Sequence, residues 1–152
     1  MSTLPKHPAQ IADLARTADT HTPLNLDAIL EASFSKLFER VAAGAVEREQ
    51  NRELAYEAIQ WLRDAGFTAL RVPKRYGGDG ITLPQFFRLL VKLGEANSNL
   101  PQILRLNFGS IETRLETSDE ASRERWLRPA ANGVLFGAAI SERTGSTHNW
   151  VT

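Results

Sequence analysis

The sequence predicts an all-α fold of about five helices, with a single strand appearing only near its end. Three observations carry this. Apolar residues recur at three- and four-residue intervals through most of the chain, helix-start and helix-stop residues fall between these runs, and the first β-rich run is "VLFGAAIS" at 134–141.

Residues 1–26 mix Pro, Thr, His and Ala around "PAQIADLART" and are expected to form a flexible arm. Leu30, Phe34, Leu37, Phe38, Val41 and Ala45 share one helical face, which predicts a first helix over 27–48. Leu54, Ala58, Trp61, Leu62 and Ala65 repeat that spacing over 52–65, with Asn51 placed to cap the start and Gly66 to end the helix in the left-handed conformation. "FTALRVP" is too short for another helix and ends in Pro73, so an extended connector is expected there.

Thr82, Pro84 and Gln85 form a helix start with a capping box. In the third helix, 83–97, Gln85, Arg88, Lys92 and Glu95 make a polar stripe. Phe86, Phe87, Leu89, Leu90, Val91 and Leu93 cover the remainder, the pattern of a helix in the middle of a bundle. Leu100, Leu104, Phe108, Ile111 and Leu115 mark a fourth helix over 99–116, with Gly109 a weak or close-packing point inside it. Ser118 is placed to cap a short fifth helix that begins "DEASRERWL" and ends near Pro129 and Gly133. A lone strand has no partner. The β region therefore reads as the beginning of something larger, and the chain as a truncated portion.

A chain of 152 residues is long enough to bury a core as one domain. It contains no cysteine, which removes disulfides, Cys-ligated zinc, CxxC redox chemistry and a thiol nucleophile. Eighteen basic residues balance eighteen acidic ones, so the overall field gives no reason to expect nucleic acid or an anionic membrane as partner. No apolar run approaches the ~20 residues of a membrane helix, and the amino terminus has no signal-peptide core. A soluble, cytoplasmic protein is expected.

The candidate motifs are mostly structural. "YGGDG" at 76–80 fits neither G-x-x-x-x-G-K-[ST] nor G-x-G-x-x-G, so its glycines read as a tight turn and Lys74 and Arg75 as solvated. His7, His21 and His148 have no partner at helical spacing, and no metal site is expected. Ser141 and Glu142 are strand neighbours that point to opposite faces, which disfavours a nucleophile–base pair. Trp61, Phe86, Phe87, Phe108 and Trp126 fall on helical faces as core residues. Asn107 interrupts an apolar face, and a buried amide needs partners; it is either a satisfied core amide or a pocket residue.

"WLRDAGFTALRVPKRYGGDGITLPQFFRLLVKLGEANSNLPQILRLNFG" resembles the N-terminal helical domain of the acyl-CoA dehydrogenase family, and "RERWLRPAANGVLFGAAISERTGS" its passage into the flavin-binding β domain. The resemblance covers residues 28–148. It implies an orthogonal helical bundle over 27–132, with 133–152 the start of a truncated middle β domain. Members of that family use FAD to take two hydrogens from an acyl-CoA thioester, with a general base in a C-terminal bundle and a tetrameric assembly. By the match to Ile-Thr-Glu, Ser141 would place a hydroxyl near the flavin, with Ala138 and Ile140 giving backbone contacts and Ser146 standing near the pyrophosphate. Ile103, Leu104 and Asn107 would wall the acyl pocket. No catalytic residue is expected within this chain.

Two departures stand out: Arg143 replaces the proline that follows Glu, and "ERTGST" is one residue shorter and lacks Gly-Ala-Gly. The same segments also resemble the reduced-flavin monooxygenases related to dibenzothiophene desulfurisation, which take reduced FMN from a separate reductase and often carry histidine where this chain has Asn107. A third alternative is a non-catalytic helical remnant or interaction module. On the family reading, the third and fourth helices should expose an apolar surface where further domains pack.

Overall fold

The computed structural model describes residues 26–137, with Leu26 described for its backbone alone. Among these residues the fold is all-α. Its helices are α1 (Leu26–Ala43), α2 (Ala45–Asn51), α3 (Tyr56–Asp64), α4 (Leu83–Ala96), α5 (Asn99–Glu116) and α6 (Glu120–Ala131). Two 3-10 turns, Phe67–Ala69 and Lys74–Tyr76, lie between α3 and α4. Residues 134–137 of the expected strand are irregular, and its remainder lies outside the described residues.

The single first helix expected over 27–48 is broken at Gly44. Arg48 folds back over that glycine and donates from Nη2 to Val41 O at 2.7 Å, capping a carbonyl that the end of α1 leaves open. A Cβ at Gly44 would lie 2.4 Å from Arg48 Nη1, so any larger residue would push the guanidinium aside. Asn51 closes α2 instead of opening α3, and Arg52 takes the left-handed conformation (φ 56°). Leu54 precedes α3 and stays exposed. Gly66 adopts φ 74° after α3, as its placement suggested.

The expected extended connector is the largest correction. "FTA" is a 3-10 turn whose three residues are all buried. A residue with a large aromatic ring directly after a left-handed glycine is turned into the bundle, and Phe67 is fully buried there. Its ring meets Phe34 (5.4 Å), Phe38 (5.7 Å) and Phe108 (6.3 Å) edge-on, and Phe108 meets Phe86 at 4.8 Å. Such pairs contribute ~0.5–1.5 kcal/mol each beyond area burial. The rings thus join α1, α4 and α5 through the turn. A second cluster, Ala69, Val72, Tyr76, Ile111, Leu127 and Ala130, joins the same connector to α5 and α6.

Beyond the first turn the chain doubles back. Ile81 N donates to Leu70 O at 3.0 Å and Gly80 N to Val72 O at 2.8 Å. Arg71 clasps Glu112 of α5 through Nε (2.6 Å) and Nη2 (2.9 Å), and its Nη1 also donates to Ile81 O. Tyr76 is buried and donates its hydroxyl proton to Glu120 at the start of α6. Gly78 presses against Val72 so closely that a Cβ there would lie 2.2 Å from Val72 O.

The capping box forms as expected, Thr82 Oγ1 accepting from Gln85 N. Asp119, not Ser118, caps α6, accepting from Ala121 N at 3.1 Å. The expectation that the 83–97 helix lies mid-bundle is also corrected. Only Phe86, Leu89 and Leu93 of α4 are buried, while Phe87 faces outward, because α1 and α5 cover one side and no described element covers the other. Gly109 is not a close-packing point: a Cβ there would meet nothing within 4 Å.

These two glycines predict opposite outcomes. Gly78→Ala should destabilise the chain by about 1–3 kcal/mol through overpacking. Gly109→Ala should stabilise it by up to about 1 kcal/mol through helix propensity. Urea unfolding followed by circular dichroism measures both.

Candidate functional site

The residues expected to wall an acyl pocket sit on α5 but do not share one surface. Ile103 is 48% exposed, whereas Leu104 and Asn107 are each 2% exposed on the inner face. The Asn107 carboxamide uses both of its ends: Nδ2 donates to Thr68 O at 3.1 Å, and Oδ1 accepts from Phe136 N at 3.1 Å. It is a satisfied core amide in this geometry. The expected flavin contacts Ala138, Ile140, Ser141 and Ser146 lie outside the described residues, as do Glu142, His7, His21 and His148. Among the described residues no cluster of three or more His, Cys, Asp or Glu side chains could hold a metal. No described helix is long and apolar enough to cross a membrane.

The outer surface of α4 carries Leu83, Phe87 and Val91 at four-residue intervals, 42%, 56% and 60% exposed. This spacing stacks them along one line of the helix. Ile103 on α5 is exposed as well, so both the third and the fourth expected helices carry exposed apolar side chains.

Two hollows accompany that surface. A cleft of about 300 Å³ lies between the end of α3, the glycine turn and the end of α6, lined by Arg63, Asp64, Gly77, Gly78 and Gly133 among others. It does not offer a phosphate cradle. Gly77 N, Gly78 N and Gly80 N donate to Lys74 O, Pro73 O and Val72 O within the same loop. Arg63 is likewise committed, to Gly133 O at 2.8 Å and Gln60 Oε1 at 3.2 Å. The other hollow, about 250 Å³, is a shallow groove over Gly109 flanked by Arg105 and Arg114.

Two carboxylates are held by partners in a direction opposite to that of a general base. Asp27 accepts from Gln85 Nε2 at 2.7 Å and pairs with Arg88; the Gln85 bond first, then Arg88, holds its carboxyl below the usual range. Glu120 is held low mainly by the Tyr76 hydroxyl, with Arg75 and Arg123 adding to it. A general base at neutral pH is commonly tuned upward, the opposite direction. Sequence reasoning missed these pairs and the Arg71–Glu112 clasp: Asp27 and Gln85 are 58 residues apart, Tyr76 and Glu120 44, and Arg71 and Glu112 41. The only local signal was Gln85, singled out as a cap and found to serve Thr82 and Asp27 together.

An all-α domain with an outward apolar stripe on α4 is the class defined by the described residues. The comparisons agree and go further. Residues 27–134 match the model of the acyl-CoA dehydrogenase N-terminal domain, and the chain belongs to the acyl-CoA dehydrogenase family. Acyl-CoA dehydrogenase FadE28 of Mycobacterium tuberculosis (strain ATCC 25618 / H37Rv) is 31% identical over 104 residues, covering 68% of this chain and 30% of its own. Probable acyl-CoA dehydrogenase fadE25 of Mycobacterium leprae is 28% identical over 116 residues, 75% of this chain and 30% of its own. The similarly named protein of Mycobacterium bovis is 26% identical over 104 residues, 68% of this chain and 27% of its own. The chain thus matches under a third of the length of these relatives. No solved structure matches it.

The paired carboxylates and the apolar stripe each generate a prediction. Because the folded-state pKa values of Asp27 and Glu120 are depressed, their stabilisation is complete above the ordinary carboxylate pKa near 4 and is lost as pH falls through the folded values. Asp27→Asn should therefore unfold at lower urea than the unsubstituted chain at pH 6, with the two midpoints converging as pH falls below the ordinary carboxylate range. Phe87→Ser, at an exposed position, should change stability by less than about 0.5 kcal/mol. It should nonetheless lower the fluorescence of bound ANS, which reports the apolar stripe directly.

Proposed function

We propose that this chain is the N-terminal helical portion of an acyl-CoA dehydrogenase-like flavoprotein, an oxidoreductase acting on a CH–CH group of an acyl-CoA thioester. The observation that carries this reading is the family match over 27–134, joined to an apolar stripe on α4 that the described residues leave uncovered. On this reading residues 1–26 are an arm, 27–132 the helical domain and 133–152 the start of the β domain. The whole protein is a cytoplasmic homo-oligomer, a tetramer by family resemblance.

FAD, when bound, supplies the acceptor for the β hydride. The described glycine turn is spent on its own carbonyls and does not fit a flavin phosphate. By the resemblance to Ile-Thr-Glu, the cofactor contacts are assigned to Ala138, Ile140, Ser141 and Ser146. The helical domain's part is apolar: Ile103 meets substrate directly, while Leu104 and Asn107 support the wall from behind. Neither carboxylate held low here, Asp27 or Glu120, is suited to take the α proton, and the base is assigned to another part of the protein.

The 152-residue chain alone should show no oxidation of an acyl-CoA with an artificial electron acceptor; turnover by the purified chain would sink this division of labour. For the native flavoprotein carrying this domain, anaerobic addition of an acyl-CoA should bleach the visible absorbance of the flavin. Bleaching only by an added flavin reductase would instead favour the reduced-flavin monooxygenase alternative.

A further inference from the structure

The segment that leaves α6 is held at both edges, although no helix or strand contains it. Gly133 N donates to Ala130 O (2.9 Å) and Val134 N to Pro129 O (3.0 Å), which closes the helix end locally. The other anchors come from far away in sequence. Arg63 of α3, 70 residues distant, donates to Gly133 O, and Asn107 of α5, 29 residues distant, accepts from Phe136 N. The Phe136 ring packs edge-on against Trp126 at 5.9 Å. A connecting segment ordinarily runs over the surface with its backbone solvated. Here the backbone N–H of Phe136 is held by a side chain that is itself buried and tied to the Phe67–Ala69 turn through Thr68 O.

We infer that Asn107 is a positioning residue: its carboxamide sets the path on which the chain passes Phe136 toward residues 138–141. This rests on the reading above only in giving 138–141 to the flavin; the clamp itself is a property of the helical domain. The carboxamide suits the task because it offers donor and acceptor in a fixed plane, so the core turn and the exit segment are held in one relative orientation. Arg63 holds the same segment from its other edge through Gly133 O, and Asn107 is the anchor that also reaches the core turn through Thr68 O.

The test uses the whole chain without ligand, so it stands apart from the flavin reading. In the unsubstituted chain the Phe136 amide should exchange with deuterium at least about tenfold more slowly than an unstructured peptide, the factor that corresponds to ~1.4 kcal/mol. Exchange at the unstructured rate would overturn the inference before any substitution is made. Asn107→Ala should abolish that protection while Leu104 and Ile111 remain protected. Asn107→Asp should restore it at a pH low enough to keep the carboxyl protonated, because the neutral acid keeps both an acceptor for Phe136 N and a donor for Thr68 O. A residue that only fills the core would give the reverse order, an ionisable group in a buried site being worse than alanine.

The absence of cysteine allows a direct reading of the path. Spin labels on Lys36→Cys and Gly137→Cys, where an added Cβ at Gly137 meets nothing within 4 Å, should give a narrow distance distribution. Asn107→Ala should broaden it and Asn107→Asp, at the same low pH, should narrow it again. Equal widths with and without the Asn107→Ala substitution, with circular dichroism showing both labelled chains folded, would overturn the inference.

Discussion

Burial of Phe67 among Phe34, Phe38 and Phe108 ties α1 to α5 through the turn after α3, because its ring meets rings of both helices. The turn that carries it touches α3, α5 and α6 as well. A helix pair alone could slide along its partner with modest loss of contact, since ridges repeat every turn. A ring wedged edge-on between two helices has no equivalent position one turn away. The connector between α3 and α4 is therefore part of the core, and the helices are placed relative to it.

Burying such a connector brings its backbone polar groups into apolar surroundings, which costs free energy unless each is paired. The chain meets this by folding the connector on itself at Leu70–Ile81 and Val72–Gly80, and by sending side chains to it from elsewhere. Asn107 takes Thr68 O, and the Arg71 guanidinium takes Ile81 O while clasping Glu112. Gly78 completes the arrangement by allowing backbone to lie where any side chain would collide with Val72. The YGG turn is thus a joint in which Gly78 serves close approach and Gly77 takes a φ of 100°, and its glycine amides are used up in making it.

The same arrangement divides the surface. Packing of α1 and α5 on α4 covers Phe86, Leu89 and Leu93 and leaves Leu83, Phe87 and Val91 outward. An apolar line of this kind is costly to leave in water and is the feature most consistent with a domain that works against another surface. The matched segment makes up 30% of the length of two of its mycobacterial relatives.

Helix existence was legible in the sequence because a 3.6-residue period is a local property: the 99–116 helix, the Thr82–Gln85 capping box and the Gly66 terminator required only neighbours in the chain. The family was legible for a related reason, since the "VPKRYGGDG" joint needs particular residues at fixed spacing. The break at Gly44, the burial of Phe67 and the outward turn of Phe87 were not legible. Each depends on a partner chosen in three dimensions: a guanidinium folding back over a glycine, a cluster of rings from other helices, and the absence of a described neighbour on one side of α4. Of the candidate site, the sequence singled out Asn107 as an amide in need of partners, which is a statement about desolvation. Which partners it found, Thr68 O and Phe136 N, was decided by the tertiary structure alone, because hydrogen bonds between residues 39 and 29 positions apart leave no periodic trace in a sequence.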